Sequence, residues 1–510
     1  MFAQVNSIGL FGMSTYPVSV EVSVDRGLPR CDIVGLPDMA VSESRERVRA
    51  AIKNSGFFFP ASRVTINLSP ADKRKEGSMY DLPISVALLL ATGQLRQNPG
   101  NCALIGELSL NGEVRRVAGI LPMVIHAKEQ GMDAVFVPME NAAESCVVDG
   151  IDIYPVPDCK TLVDHLSGYR PLQKASREMF PMAQRQIGPA LDFSDVKGQF
   201  MPKRALEIAA AGGHNVLMVG PPGSGKSMLA KRLPSILPDM TEEESMETTK
   251  IYSIAGLLSN EQSLITRRPF RAPHHTISAV GLSGGGRVPK PGELSLAHNG
   301  VLFLDELPEF PRISMEAMRQ PIEDGVITIT RVSGSLTYPC ETMLVCAMNP
   351  CPCGYYGHPT RKCTCRGDAV SKYLSRVSGP LLDRIDLHVE VAPVDFEKLS
   401  DNSMSESSET IRARVNAARE IQRRRFAGTA TSCNAKMTPA QTRAFCALDD
   451  ASKALLERSF VVLGLSARAY DKILRIARTI ADLDGSEHIQ SAHMAEAVQY
   501  RALDQKLWHG

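Results

Sequence analysis

"GPPGSGKS" occupies residues 220–227, and its reading decides the fold of the middle of this chain. Gly220, Gly225, Lys226 and Ser227 fill the pattern G-x-x-x-x-G-K-[ST], with Pro221, Pro222, Gly223 and Ser224 between them. The apolar run "NVLMVG" precedes the motif and helix-forming "SMLAKRL" grows out of it. That is the strand–loop–helix context a phosphate loop needs. Glycines let backbone N–H groups curl around phosphate oxygens, and the helix N-terminus adds its positive dipole end. A lysine in this place reaches the β- and γ-phosphates, and the hydroxyl after it joins Mg²⁺. ATP and Mg²⁺ are therefore the expected cofactors, with Lys226 and Ser227 in those roles.

Outward from the loop, "GVLFLDELPEF" at 300–310 reads as a buried strand with Asp305 and Glu306 at its C-terminal edge, where α/β sheets place their ligands. Asp305 suits the Mg²⁺ shell, and Glu306 is placed to orient or deprotonate the attacking water. The strand "TMLVCAMNP" ends in Asn349, a polar group suited to sensing the γ-phosphate. "LLDRIDLHVEV" sets Arg384 between two acids, either as a surface salt bridge or as a cation for a neighbouring subunit's phosphate. Arg468 opens the basic amphipathic helix "ARAYDKILRIARTIADL". After Asn349 comes "PCPCGYYGHPTRKCTC", with Cys351, Cys353, Cys363 and Cys365 in two C-x-C pairs. Clustered thiols suit a tetrahedral zinc, with His358 able to replace one sulfur, or else a loop of free thiols.

At 510 residues the chain is too long for one core. With 57 basic against 56 acidic residues it has no bulk field, so any nucleic-acid contact must come from local basic elements. The opening "MFAQVNSIGLFGMS" carries no charged leader, and "VALLLA" at 86–91 is far too short for a membrane span. Most of the twelve cysteines are scattered singly, so a cytoplasmic chain with reduced thiols and no membrane partner is expected. Residues 1–170 alternate strands (18–24, 63–69, 133–138) with helices, one capped at Ser42 and ended by Gly56. We expect a linker at 171–190, an α/β nucleotide core at 191–395 and a helical domain at 396–510. Two hairpins are expected to project from the core. One carries Arg287 and Lys290 in "VGLSGGGRVPKPGELS", and the other carries Arg331 in "VITITRVSGSLTYPC". The arginines of the 410–425 helix (Arg412, Arg414, Arg419, Arg423, Arg424 and Arg425) read as a solvated or inter-subunit face opposite Ile411, Val415, Ala418 and Ile421.

Phosphate loop, "FLDE", Asn349, "DRID" and "SARAYDKILRIARTIADL", in that order, resemble an AAA+ ATPase of the magnesium-chelatase-like branch. "RPFRAPHHTISAVGLSGGGRVPKPGELSLAHNGVLFLDELPEF" resembles the ComM/YifB family over essentially the whole chain. The resemblance implies an AAA+ P-loop core with a helical lid. It also implies Arg384 as an arginine finger acting in trans, Arg468 as a second sensor, and the two hairpins as pore loops. It further implies a homo-hexameric motor on single-stranded or branched DNA, of the helicase or branch-migration type, acting in recombination and natural transformation. The N-terminal stretches "PADKRKEGSMYDLPISVALLLATG" and "GELSLNGEVRRVAGILPMVIHAKEQGMDAVFVPMEN" resemble the proteolytic (S5-type) domain of Lon. The Ser–Lys dyad of that fold would fall on Met79 and Leu121, which can neither attack nor accept a proton. Ser78, one position away, lacks an activating lysine there. A binding platform without peptidase activity is the expectation. A chelatase-type or chaperone-type remodeller is the rival reading, and the fused Lon-like domain is expected to count against the chelatase.

Overall fold

The structure is a computed structural model that describes residues 1–180, 191–260, 262–286, 289–331, 334–393, 405–503 and 507. It divides into two compact units. The first holds residues 1–185, 242–266 and 328–338, and the second holds 186–241, 267–327 and 339–510. Two pieces that lie between the phosphate loop and Asn349 in sequence thus cluster with the N-terminal unit.

The first unit is built on a seven-stranded sheet. Strands Phe2–Phe11 and Ser14–Asp25 form a long antiparallel ribbon around Gly12, whose φ of +61° is the left-handed turn that glycine tolerates. Tyr16, Val18, Val20, Val22 and Val24 alternate inward, as the period-two pattern predicts. Strands Cys102–Leu104, Ala134–Pro138 and Asp152–Val156 continue the sheet in parallel. Helices Asp81–Ala91 and Ile120–Glu129 supply the covering apolar layer. The helix expected from Ser42 runs Met39–Asn54 and is capped instead by Asp38, whose carboxylate accepts from Val41 N at 2.7 Å. Pro37 before the cap and Ser42 bonded back to Asp38 O explain the shift: Ser42 already sits inside the first turn.

Helix Glu242–Ala255 belongs to this unit: Gly119 N donates to Ser253 O at 2.9 Å, and Ser253 Oγ donates to buried Glu144. The hairpin Val326–Arg331/Gly334–Pro339 forms as expected, but it does not project freely. Ile329, Leu336 and Tyr338 are buried, and Leu336 lies against Gly12. Of the expected linker, 171–176 is irregular chain that also belongs here, with Ala175 N donating to Ile153 O at 2.9 Å, Arg177–Met179 is a turn of 3-10 helix, and 181–190 lie outside the described residues.

In the second unit five parallel strands stand in the order Phe270–Arg271, Val301–Leu304, Met343–Met348, Val216–Val219, Leu387–Glu390. The phosphate-loop strand is therefore interior, and its burial with Val301–Leu304 and Met343–Met348 in a fully parallel sheet accounts for their continuous apolar runs. Helix Phe200–Gly212 packs on it, and helices Ser408–Arg425, Pro439–Phe445, Asp450–Leu463, Ala467–Leu483 and Ser491–Gln499 make the helical part. This is the mixed α/β architecture with a parallel P-loop core that the sequence implies.

The arginines of helix Ser408–Arg425 correct one expectation. Arg425 is bidentate to buried Asp482 (2.5 and 2.7 Å), Arg414 reaches Glu207 at 2.5 Å and also Glu406, and Arg419 donates to Ala210 O at 3.3 Å. These three bind the helix to its own chain, while Arg423 and Arg424 pair only with Glu420 on the same exposed face.

Candidate functional site

Register explains how the site is assembled. Val219 lies opposite Met348, and Leu304 opposite Cys346, so the chain segments that leave these strands emerge along one sheet edge. Gly220 leaves no room for a side chain: a Cβ there would come within 2.2 Å of Val391 O. Gly223 and Gly225 take φ of +78° and +93°, which bends the loop into a cradle before helix Lys226–Arg232. Gln199 pins the cradle from behind by donating to Ser224 O (3.1 Å) and to Ala392 O (2.7 Å).

Lys226 is buried, and its ammonium donates to Gly220 O (2.7 Å), Pro221 O (2.9 Å) and Asn349 Oδ1 (3.2 Å). Burial lowers its pKa, against the opposing pull of Asp305 and Glu306. Ser227 Oγ donates to Asp305 Oδ2 at 2.6 Å. A hydroxyl and a carboxylate that close are both placed to face one hard cation, and the ammonium, held by carbonyl, amide and hydroxyl oxygens, makes no ion pair within 4 Å among the described residues. The residues present therefore fit ATP with Mg²⁺. Glu306 follows at φ +54°, half exposed, so its carboxylate stands clear of the strand end.

A further residue stands here that the sequence reading did not single out. Strand Phe270–Arg271 pairs with Val301–Leu304 so that Arg271 faces Leu302. Four residues on from each lie His275 and Glu306, and His275 Nδ1 is 3.6 Å from Glu306 Oε2. His275 also stacks on His274, with ring centroids 4.0 Å apart. The signal was the "PHH" after a short strand, readable only once the strand register is known.

Arg384 and Arg468 are not brought to their own chain's phosphate loop by any contact among the described residues. Arg384 donates to Arg319 O (2.9 Å) and Pro380 O (2.8 Å) and pairs with Glu323. Arg468 is largely exposed, 3.8 Å from Asp383. Asn215 ties this corner to the sheet: its side chain donates to Arg384 O (2.9 Å) and accepts from Leu344 N (2.8 Å). Of the hairpin cations, Lys290 is exposed on the small ribbon Gly284–Gly285/Lys290–Pro291, while Arg287 and the side chain of Arg331 lie outside the described residues.

The cysteine loop converges. The four Sγ atoms of Cys351, Cys353, Cys363 and Cys365 lie within 4.8 Å of one another, with close pairs at 3.3, 3.5 and 3.8 Å. A tetrahedron with Zn–S arms of about 2.3 Å has edges of about 3.8 Å, so the thiols already have the spacing zinc requires. Tyr356 N and Thr364 N donate to the sulfurs of Cys351 and Cys353 at 3.3 and 3.4 Å, as amides do for thiolates. His358 is no substitute ligand: its Nδ1 accepts from Thr360 N (3.1 Å) and Arg361 N (3.0 Å).

In the N-terminal unit Met79 and Leu121 are both packed in the apolar core. Ser78 donates to Glu107, and Lys75, buried, spends its ammonium on Pro70 O and Lys73 O.

Comparison with known proteins gives three matching segments. Residues 192–399 match the family model described as "Magnesium chelatase, subunit ChlI", and 405–501 match "Magnesium chelatase, subunit ChlI C-terminal". Residues 20–141 match "Subunit ChlI of Mg-chelatase", so the N-terminal domain does not count against a chelatase relationship as expected above. The chain is 43% identical to the uncharacterized protein YifB of Salmonella typhimurium, over 99% of this chain and 98% of the relative. It is 41% identical to the competence protein ComM of Haemophilus influenzae, over 98% and 97%. A magnesium-chelatase 67 kDa subunit of Chlorobaculum tepidum is 29% identical over 31% of this chain and 23% of its own length.

Proposed function

The chain belongs to the ComM/YifB family of magnesium-chelatase-like AAA+ proteins, and from that premise we propose that it is an ATP- and Mg²⁺-dependent hexameric DNA motor of the helicase or branch-migration type, serving recombination and natural transformation in the cytoplasm. The observation that carries the ATPase part is the convergence of Lys226, Ser227, Asp305 and Asn349 at one sheet edge, with Ser227–Asp305 at 2.6 Å and Lys226–Asn349 at 3.2 Å. When bound, Mg²⁺ neutralises charge developing on the phosphates. Lys226 leaves its carbonyls for the phosphates, Ser227 and Asp305 hold the cation, Asn349 positions the water, and Glu306 takes its proton. The four cysteines hold one structural zinc. The Lon-like N-terminal domain is a binding platform without peptidase activity.

For the DNA part, the homology to a competence protein is the support, together with exposed Lys290 on a ribbon and Arg331 at a hairpin tip. Single-stranded or branched DNA is expected to raise the ATPase rate, with an affinity that falls steeply with salt. Replacing Arg331, or Arg287 with Lys290, by alanine removes that stimulation. An ATPase indifferent to DNA at every salt concentration favours the chelatase-type or chaperone-type remodeller, which the family models also suit.

Arg384 does not touch its own phosphate loop, which supports a role on a neighbouring subunit's nucleotide, with Arg468 as second sensor. Mixing Arg384→Ala with Lys226→Ala subunits is then expected to restore part of the hydrolysis each lacks alone. Mixtures that stay as dead as the separate variants refute the trans assignment.

A further inference from the structure

The zinc loop is joined to the nucleotide site at two points. Cys351, fully buried, comes two residues after Asn349, whose Oδ1 accepts from Lys226. Between the first two cysteine ligands and the rest of the loop, the chain turns through Gly354, where Gly354 N donates to Cys351 O at 3.0 Å and φ is +83°. That turn backs directly onto the phosphate loop: a Cβ on Gly354 would lie 2.3 Å from Pro222 Cδ and 2.7 Å from its Cγ. Pro222 follows Pro221, whose carbonyl accepts from Lys226. One C-x-C-G turn therefore borders both the sensor asparagine and the outer wall of the phosphate cradle.

We propose that the tetrathiolate zinc is the brace of the nucleotide site, holding Asn349 and Pro222 in place so that nucleotide affinity depends on a metal that touches no nucleotide. The inference rests on the zinc reading above and goes beyond it. Three of the four ligands are partly exposed, and the contacts within the loop are local: Arg361 Nη1 donates to Tyr355 Oη at 2.8 Å and two amides donate to His358 Nδ1, so it is the four thiols that tie the Cys351–Gly354 turn to the far end of the loop. Zinc draws the two C-x-C pairs together and presses Gly354 against the loop. Without it, Asn349 and Pro222 lose that support and Lys226 loses its alignment. Coupling between two sites is typically worth a factor of roughly 5–150 in affinity, and it is reciprocal. Nucleotide must therefore tighten zinc binding by the factor by which zinc tightens nucleotide binding.

The test uses the full chain, purified under reducing conditions. Elemental analysis is expected to give one zinc per chain. Stripping it with a chelator weakens binding of a fluorescent ATP analogue roughly 5- to 150-fold, and restoring zinc restores affinity. Saturating nucleotide lowers the apparent zinc Kd by the same factor. Gly354→Ala, strained at φ +83° and crowding Pro222, binds the analogue more weakly than the native chain when the two are compared at equal zinc content. Hydrogen exchange in helix Ala467–Leu483, which belongs to the same unit as the phosphate loop, checks that the stripped chain is still folded. A chain that holds zinc but binds the analogue equally well without it overturns the brace and leaves the zinc site standing. A chain that neither carries nor takes up zinc overturns both.

Discussion

Glu306→Gln is expected to bind ATP as tightly as the native chain and to hydrolyse it roughly 10²- to 10⁴-fold more slowly, the usual loss when a positioned general base is removed. Glutamine keeps the shape and the half-exposed stance at φ +54°, but it cannot accept the water's proton. Lys226→Ala is the counterpart with the opposite signature. It removes an ammonium that now satisfies Gly220 O and Pro221 O, and that would bind phosphate, so nucleotide affinity falls by about 1.5–3 kcal/mol, or roughly 10- to 150-fold. Equilibrium binding and single-turnover hydrolysis separate the two. Equal loss of affinity in both variants would mean that Glu306 shapes the cradle and is not the base. Full turnover in Glu306→Gln would pass the proton to another group, and His275, 3.6 Å away, is one candidate.

The catalytic edge was legible in the sequence because each of its parts is local. A phosphate loop needs its strand, glycines, lysine and hydroxyl in one run, and "FLDE" carries both acids at one strand end. His275 was not legible, because its meaning lies in the Arg271–Leu302 register, a pairing across some thirty residues of chain. The same limit hid the partners of helix Glu242–Ala255 and of the Leu336 face of the hairpin. The helix buries Ser245, Thr248, Thr249 and Ser253 beside Ile251 and Ile254, which leaves no clean apolar stripe to read, and the surfaces that helix and hairpin cover, around Gly119 and Gly12, are far away in the chain. Arg414, Arg419 and Arg425 looked solvated for a related reason. Charge on a helix face reads as surface until the acid or carbonyl opposite it is known, and Asp482 and Glu207 come from other helices. The cysteines were legible as a cluster, and only the amides of Thr360 and Arg361, bonded to its Nδ1, decided against His358.

The largest expected effect on stability belongs to Asp386, in the same "DRID" segment as Arg384. Its carboxylate is enclosed by Lys472 Nζ at 2.9 Å, Asn215 N at 3.0 Å and His214 Nδ1 at 3.6 Å, which joins the start of the phosphate-loop strand to helix Ala467–Leu483. Burial raises its pKa, but Lys472 and His214 outweigh this and hold it well below the usual carboxylate range. Asp386→Ala leaves Lys472 buried without its anion and is expected to cost about 3–5 kcal/mol. Replacing Lys472 by Met in the same chain recovers most of that, leaving the orphaned Asn215 N–H at about 1–3 kcal/mol. The pH dependence gives an independent check. Asp386 has a depressed folded pKa, so its contribution is complete above the ordinary aspartate value of about 3.9 and is lost only as pH falls through the lower folded value. The native chain therefore shows no slope from this group between neutral and alkaline pH. Burial and Arg501 already lower the Lys472 pKa against the pull of Asp386 and Asp383, and in Asp386→Ala the pull of Asp383 alone remains among these groups. Folding then favours the uncharged amine and the unfolded chain binds the extra proton, so the variant gains stability as pH rises toward the free lysine value of about 10.4. Urea unfolding read by hydrogen exchange in helix Ala467–Leu483 measures both effects. A loss under about 1 kcal/mol, or a variant with no alkaline recovery, would show that Lys472 reaches water without Asp386.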